Sequence, residues 1–329
     1  MGIQTVSQAL SNENVAPFGF KNRIINGNFD IWQRGTSFSN PNDTYTADRF
    51  LVVPGGGTTG DTVSQQTFTP GQTDVPGEPT YFLRFAIGAT SANRVMHHRI
   101  EDVRTFAGQT CTLSFYAKAS VAHSSTVEFQ QNFGSGGSTA VTQSPIAYTM
   151  STSWQKFTFT ITLPSIAGKT IGTSSYLYIS FIRSLPASSV SIDIAQMQFE
   201  KGPQATAFDA RPFGTELALC QRYFISYGGT TGYERFGVGM GNGATTASIC
   251  IALPVPMRVA PTLGYSAVGD IGIYDGANVL TATVLALDQP SEKVITVAVT
   301  VASGGTQYRP MALIATNNTV ARLRFSAEL

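Results

Sequence analysis

Between residues 22 and 210, apolar and polar side chains alternate with a period of two in one segment after another. In CTLSFYAKA, Cys111, Leu113, Phe115 and Ala117 share one side, and Thr112, Ser114, Tyr116 and Lys118 share the other. WQKFTFTITL aligns Phe157, Phe159, Ile161 and Leu163 against Thr158, Thr160 and Thr162. SYLYISFIRS offers Leu177, Ile179 and Phe181, and SVSIDIAQMQFE reads as a further strand. Period two belongs to strands whose neighbouring side chains point to opposite faces. About eight such segments, punctuated by Gly, Ser and Pro, predict an antiparallel sandwich with one face of each sheet buried. NFGSGGSTA and VVPGGGTTGD are loops by composition.

The pattern changes after residue 210. In ARPFGTELALCQRYF, Leu217, Cys220 and Phe224 recur at helical spacing, with Thr215 as the expected N-cap. Residues 211–224 therefore read as a short helical junction. Residues 225–329 return to short β runs and predict a second, β-sandwich-like domain. At the other end, residues 1–21 hold a sparse apolar stripe (Ile3, Val6, Leu10) before Pro17, which suggests an arm. The fold class expected is all-β: an arm over 1–21, a sandwich over 22–210, the junction, and the second β domain.

Composition supports this and narrows the partners. Of 329 residues, only 12% are charged, about half of what soluble domains usually carry, while Gly (32) and aromatics (11%) are plentiful. The net charge is +1 and no run of Lys or Arg occurs, which argues against nucleic acid as a partner. Low net charge leaves little repulsion between copies, as suits a subunit of an assembly. No stretch approaches the roughly 20 apolar residues of a membrane helix, so membrane insertion is not expected. The first thirty residues lack a basic segment followed by an apolar core, so synthesis in the cytoplasm without a signal peptide is expected. The three cysteines (Cys111, Cys220, Cys250) are widely spaced and odd in number, and are expected to be buried free thiols.

Catalytic signatures are weak. GVGMGNGA contains a formal G-x-G-x-x-A from Gly239, but TTASICIALPV behind it is strand-like, so the segment reads as a β-turn and not a dinucleotide loop. His97 and His98 are adjacent and would face opposite ways on a strand, which suits surface or interface positions better than a metal site. Acidic pairs such as Glu101/Asp102 and Asp193/Glu200 have no distinguishing context. Asp48 and Arg49 read as a local ion pair.

Several segments taken together say more. NRIINGNFDIWQRGTS, YTADRF, GQTCTLSFYAKAS, SIDIAQMQFEKGPQATAFDARP and ELALCQRYF resemble, in order, the carbohydrate-binding-module-like jelly roll of phage tail-fibre and related virion proteins. The resemblance covers roughly residues 22 to 224, and the closing half is similar to the domain that often follows. It implies a jelly roll and a structural calcium ion held by the first and last strands, here Asp30 with Asn28 beside it, and Asp193. The alternative is that both aspartates pair with Arg34, Arg49 or turn amides. Trp32 and Tyr45 are the candidate sugar-stacking aromatics; Trp154, which begins a strongly alternating strand, reads as core. The function implied is that of a non-enzymatic virion structural protein. It would be a tail-fibre or receptor-binding subunit, trimeric, docked on other virion proteins through its arm and contacting host surface polysaccharide. The alternative is a decoration or cement protein of the virion head.

Overall fold

The computed structural model describes residues 20–54, 60–89, 93–184, 186 and 188–329. Nearly all of the expected arm, and part of the VVPGGGTTGD loop, lie outside the described residues. The chain divides into two compact units. One ends at Glu216 and takes in Leu329; the other is Leu217–Glu328.

The first unit is built on two antiparallel sheets. One runs, edge to edge, Ser37–Ser39, Thr62–Thr67, Tyr81–Ile87, Val190–Lys201, Thr110–Ala119 and Gln155–Thr162. The other runs Ile146–Met150, His123–Asn132, Tyr176–Ser184, Arg94–Glu101, Phe50–Pro54 and Thr44–Tyr45, with Val141–Thr142 beside His123–Asn132. The predicted inner faces meet in one core: Cys111, Leu113, Phe115 and Ala117 join Leu83, Phe85, Phe181 and Ile179, all fully buried. Each such Leu, Ile or Phe contributes roughly 1.5–3 kcal/mol relative to exposure. The jelly-roll-like sandwich expected over residues 22–210 is all-β as read from alternation.

The strand Val190–Lys201 breaks its own alternation. Ile192 and Ile194 face the core, and so do Met197 and Phe199, three residues further on instead of two. A bulge reconciles the two registers: pairing with Thr110–Ala119 shifts between Ala195 and Gln198, and Gln196 takes a φ of 49°. Pairing with Tyr81–Ile87 reaches only as far as Ile194. Beyond it, the opening segment takes over. Arg23 N–H donates to Phe199 O (2.8 Å) and Met197 N–H to Gly27 O (2.8 Å). The Asn22 amide donates to Met197 O (3.0 Å), and its oxygen accepts from Phe199 N–H (3.0 Å) and Ile24 N–H (2.9 Å).

The segment is itself anchored from behind. The Asn26 side chain, 1% exposed, donates to Ile31 O (2.8 Å) and accepts from Ile31 N–H (3.0 Å). Asn26 N–H donates to the Glu216 carboxylate. Arg211 bonds that carboxylate at 2.6 and 3.0 Å and donates to Asn22 O at 2.7 Å. These buried polar groups are satisfied by one another, the condition under which burial is tolerated.

The helix spans Phe213–Gln221. Glu216 N–H donates to Pro212 O (3.1 Å), so the first turn starts at Pro212, and Thr215 lies inside it. Proline suits that place because it has no N–H to leave unpaired.

In the second unit the expected β domain takes the form of a closed barrel. Its order is Arg235–Gly241, Thr246–Ala252, Val294–Val301, Val279–Asp288, Ile271–Tyr274 and Pro310–Ala315, closing on the first. Phe224–Tyr227, Leu323–Ser326 and Thr262–Tyr265 form a separate three-stranded sheet. Closure removes the open edges that a sandwich would leave. GVGMG, expected to be turn, is the first barrel strand, and only the residues after Gly241 turn back, with Asn242 N–H donating to Thr246 O (2.8 Å). A Cβ on Gly239 would stand 1.9 Å from Ser248 O, so the glycine there serves close strand approach. Cys111 and Cys220 are buried as expected, whereas Cys250 is exposed. On Thr246–Ala252 the inward positions are Ala247, Ile249 and Ile251, which leaves Cys250 facing out.

The contact between Gly27 and the bulge is testable. A Cβ on Gly27 would stand 2.1 Å from Met197 O, a rigid backbone atom. Gly27→Ala is expected to lower unfolding stability by more than about 2 kcal/mol in denaturant titration. Gly35→Ala, where a Cβ meets nothing within 4 Å, is expected to cost about 1 kcal/mol, from its positive φ alone. Equal losses at the two positions would contradict the account.

Candidate functional site

The outer face of the six-stranded sheet carries the side chains that alternation directs away from the core. Tyr116 and Ser114 come from Thr110–Ala119, and Gln198 and Gln196 from the bulged strand. Two loops fold over this face, each held by one of the glutamines. Gln196 donates to Pro76 O (2.6 Å), fixing the loop whose Val75 packs with Phe68, Phe82 and Ala195 in a small apolar cluster. Gln198 accepts from Asp209 N–H (2.7 Å) and donates to Ala207 O (3.2 Å). Glu200, 2% exposed, accepts from Thr206 N–H (2.9 Å) and the Thr206 hydroxyl (2.7 Å).

Between the loops lies a hollow of about 280 Å³. Its floor is Ser114, Tyr116, Gln196 and Gln198, its walls are Pro76–Gly77 and Thr206–Phe208, and Lys156 stands at the rim. A second hollow of about 260 Å³ lies on the same face, lined by Arg84, Lys118, Ser120, Thr152, Ser191 and Asp193. Tyr116 lines the first and Lys118, two residues along the same strand face, lines the second. Beside them Trp154 is half-buried, its ring 5.3 Å from Phe68 and 5.4 Å from Phe82, with Lys118 Nζ 5.1 Å from its centre. Trp154, expected in the core, therefore belongs to this outer cluster. Burial pushes the Tyr116 hydroxyl up, so it stays a neutral donor at ordinary pH.

The residues expected to form the site are elsewhere or differently engaged. The Trp32 indole N–H donates to Phe29 O (2.8 Å), and its ring stacks on Phe38 at 6.3 Å. Tyr45 has the Arg34 guanidinium 5.3 Å from its ring centre. Asn28 donates to Asp30 (3.1 Å), and desolvation raises the Asp30 carboxyl despite that bond. Asp193 accepts both bonds of an Arg84 fork, at 2.7 and 2.9 Å, with Lys118 3.9 Å away. Asn28 and Asp30 thus stay neighbours, while Asp193 belongs to the outer face. A calcium ion does not fit Asp193, both of whose oxygens are already taken by the Arg84 guanidinium. Among the described residues no three His, Cys, Asp or Glu side chains gather into a cluster. Asp48 pairs with Arg34 (3.6 Å), and Arg49 donates to Arg99 O (2.7 Å).

His97 and His98 are not on the surface; they are 2% and 0% exposed. Their strand, Arg94–Glu101, is interior to its sheet. His98 faces the core edge-on to Phe50 (5.2 Å) and accepts from Ile25 N–H (3.3 Å), while His97 lies 4.5 Å from the Tyr178 ring.

No family model and no curated protein matches the chain. Among solved structures it is similar to a CBM4 carbohydrate-binding module, at 21% identity over 54% of this chain and 98% of that one, with a TM-score of 0.35. It is similar to the enzymatically active domain of tailspike protein 4 of bacteriophage CBA120, at 16% identity over 55% of this chain and 21% of that one, TM-score 0.35. It is also similar to the N-terminal cellulose-binding domain of Cellulomonas fimi β-1,4-glucanase C, at 17% identity over 44% and 90%, TM-score 0.29. At these values the likeness is one of fold only.

The buried histidines set a pH dependence. Burial, with Arg99 nearby, pushes His97 down to about 3, and burial with Arg49 nearby holds His98 well below the usual range. Unfolded, both titrate near about 6.5. Between those limits the unfolded chain binds more protons than the folded one, so stability is full above about 6.5 and falls as the pH drops towards 3. Thermal melts across this window are expected to show a steadily falling Tm; a flat profile would contradict the burial of these rings.

Proposed function

We propose that the groove on the outer face of the six-stranded sheet binds a polysaccharide. The observation that carries this is a hollow floored by Tyr116 under two loops anchored by buried side chains, beside an aromatic cluster and with a second hollow further along the same sheet face. Sugar rings present an apolar face and a rim of hydroxyls. Tyr116, backed by Trp154 and the small apolar cluster, supplies aromatic surface for the face, and Ser114, Thr152 and the tyrosine hydroxyl supply bonds for the rim. The floor is rigid, so little ordering opposes binding. The mode supported is binding without turnover. A glycosidase needs two working carboxyl groups across the sugar; here Asp193 is held by Arg84, and Glu200 is buried under Thr206.

In affinity electrophoresis against a panel of polysaccharides, Tyr116→Ala is expected to weaken binding about tenfold, or about 1.4 kcal/mol, with Tm close to that of the parent. Unchanged binding, or loss on Trp32→Ala instead, would overturn this reading.

We further propose, on the resemblance of the segments from NRIINGN to ELALCQRYF, that the chain is a tail-fibre or receptor-binding subunit of a virion, assembled as a homotrimer. Gold-labelled antibody on purified particles is expected to decorate the tail or its fibres. Label over the head would replace this assignment with capsid decoration.

A further inference from the structure

The charge of the groove differs from that of the chain as a whole. Across 329 residues, 21 Lys and Arg nearly balance 20 Asp and Glu. On the outer face of the six-stranded sheet, Arg84, Lys118 and Lys156 come from three strands. Strand register sets Asp193 opposite both Arg84 and Lys118, and Lys156 opposite Tyr116.

The carboxylates on the strands of this face are already engaged, and in the Pro76 loop Glu78 accepts from Gly71 N–H at 3.0 Å. Asp193, 3% exposed, receives the Arg84 fork on both oxygens. Glu200 is bonded by Thr206 and, at 2.6 Å, by Gln198. Arg84 and Asp193 neutralise each other, which leaves the two lysines in excess. Lys118 Nζ is 3.9 Å from Asp193, too far for a hydrogen bond. Lys156 is exposed and donates to Thr206 O at 3.3 Å, one bond from a group with three donors. Both lysines flank the same aromatic ring: Lys156 across the ladder from Tyr116, Lys118 two residues along from it on the same face.

We infer that the groove selects an acidic polysaccharide, one whose sugar rings carry carboxylates. The inference rests on the polysaccharide-binding reading above. A ring lying on Tyr116 would set its carboxylate within reach of Lys118 on one side or Lys156 on the other. Charge-assisted hydrogen bonds are about twice as strong as neutral ones. A neutral chain in the same place would strip water from both ammonium groups and give no countercharge in return, which is unfavourable.

The full chain should be titrated with polygalacturonate and with the same polymer after its carboxyl groups have been reduced to alcohols. The reduced polymer is expected to bind about tenfold more weakly, and added salt to erode the difference, because Lys156 is exposed and Lys118 partly so. The Lys118→Gln/Lys156→Gln double variant is expected to lose the preference, with Tm confirming that it folds. Equal affinity for the two polymers would overturn the acidic preference and leave polysaccharide binding standing. If neither polymer binds, both readings fall. A double variant that keeps the preference would show that these lysines do not set it.

Discussion

The bulge at Gln196 is the constraint on which the rest of the first unit depends. It lets Ile192 and Ile194, and then Met197 and Phe199, all enter the core, although the spacing between the pairs breaks strict alternation. A bulge leaves its strand with unmatched backbone groups. Here the opening segment meets them, with Gly27 against Met197 and Asn22 against Met197 and Phe199. The buried Asn26, Arg211 and Glu216 hold that segment from behind. The Asn-Gly-Asn turn in this stretch thus serves packing: one asparagine is satisfied internally, and the glycine admits a carbonyl where no side chain fits.

The same bulge builds the groove. By turning Gln196 to the outer face, it gives the Pro76 loop an anchor. By restoring register beyond it, it sends Gln198 and Glu200 outward to hold the loop at Thr206–Asp209. Core packing and groove shape are therefore set by one local departure from regular strand geometry. Loops fixed by buried side chains on a paired sheet give the groove a shape set by the fold itself.

Much of this was legible in the sequence. Alternation identified Thr110–Ala119 and Gln155–Thr162 and assigned their faces, because a half-buried strand enforces period two. The bulge was legible in principle from the step between Ile194 and Met197, yet the segment reads as an ordinary strand unless that parity is counted. GVGMG escaped because glycines signal turns by composition, while here they serve strand contact in a closed barrel. The polarity of His97 and His98 suggests exposure, whereas their strand is interior to a sheet. The site was less legible. Trp32 lies in a distinctive motif, but its indole N–H is taken by Phe29 O. Trp154 starts an alternating strand, and nothing local shows that it packs outward with Phe68 and Phe82. The pairing of Asp193 with Arg84 joins residues 109 apart in sequence, a relation that exists only once the strands are in register.

The most direct test of the groove is a structure of the chain with a bound oligosaccharide. A sugar ring is expected over Tyr116, between the Pro76–Gly77 and Thr206–Phe208 loops. A ligand seated at Trp32 and Tyr45, or on the barrel of the second unit, would contradict it.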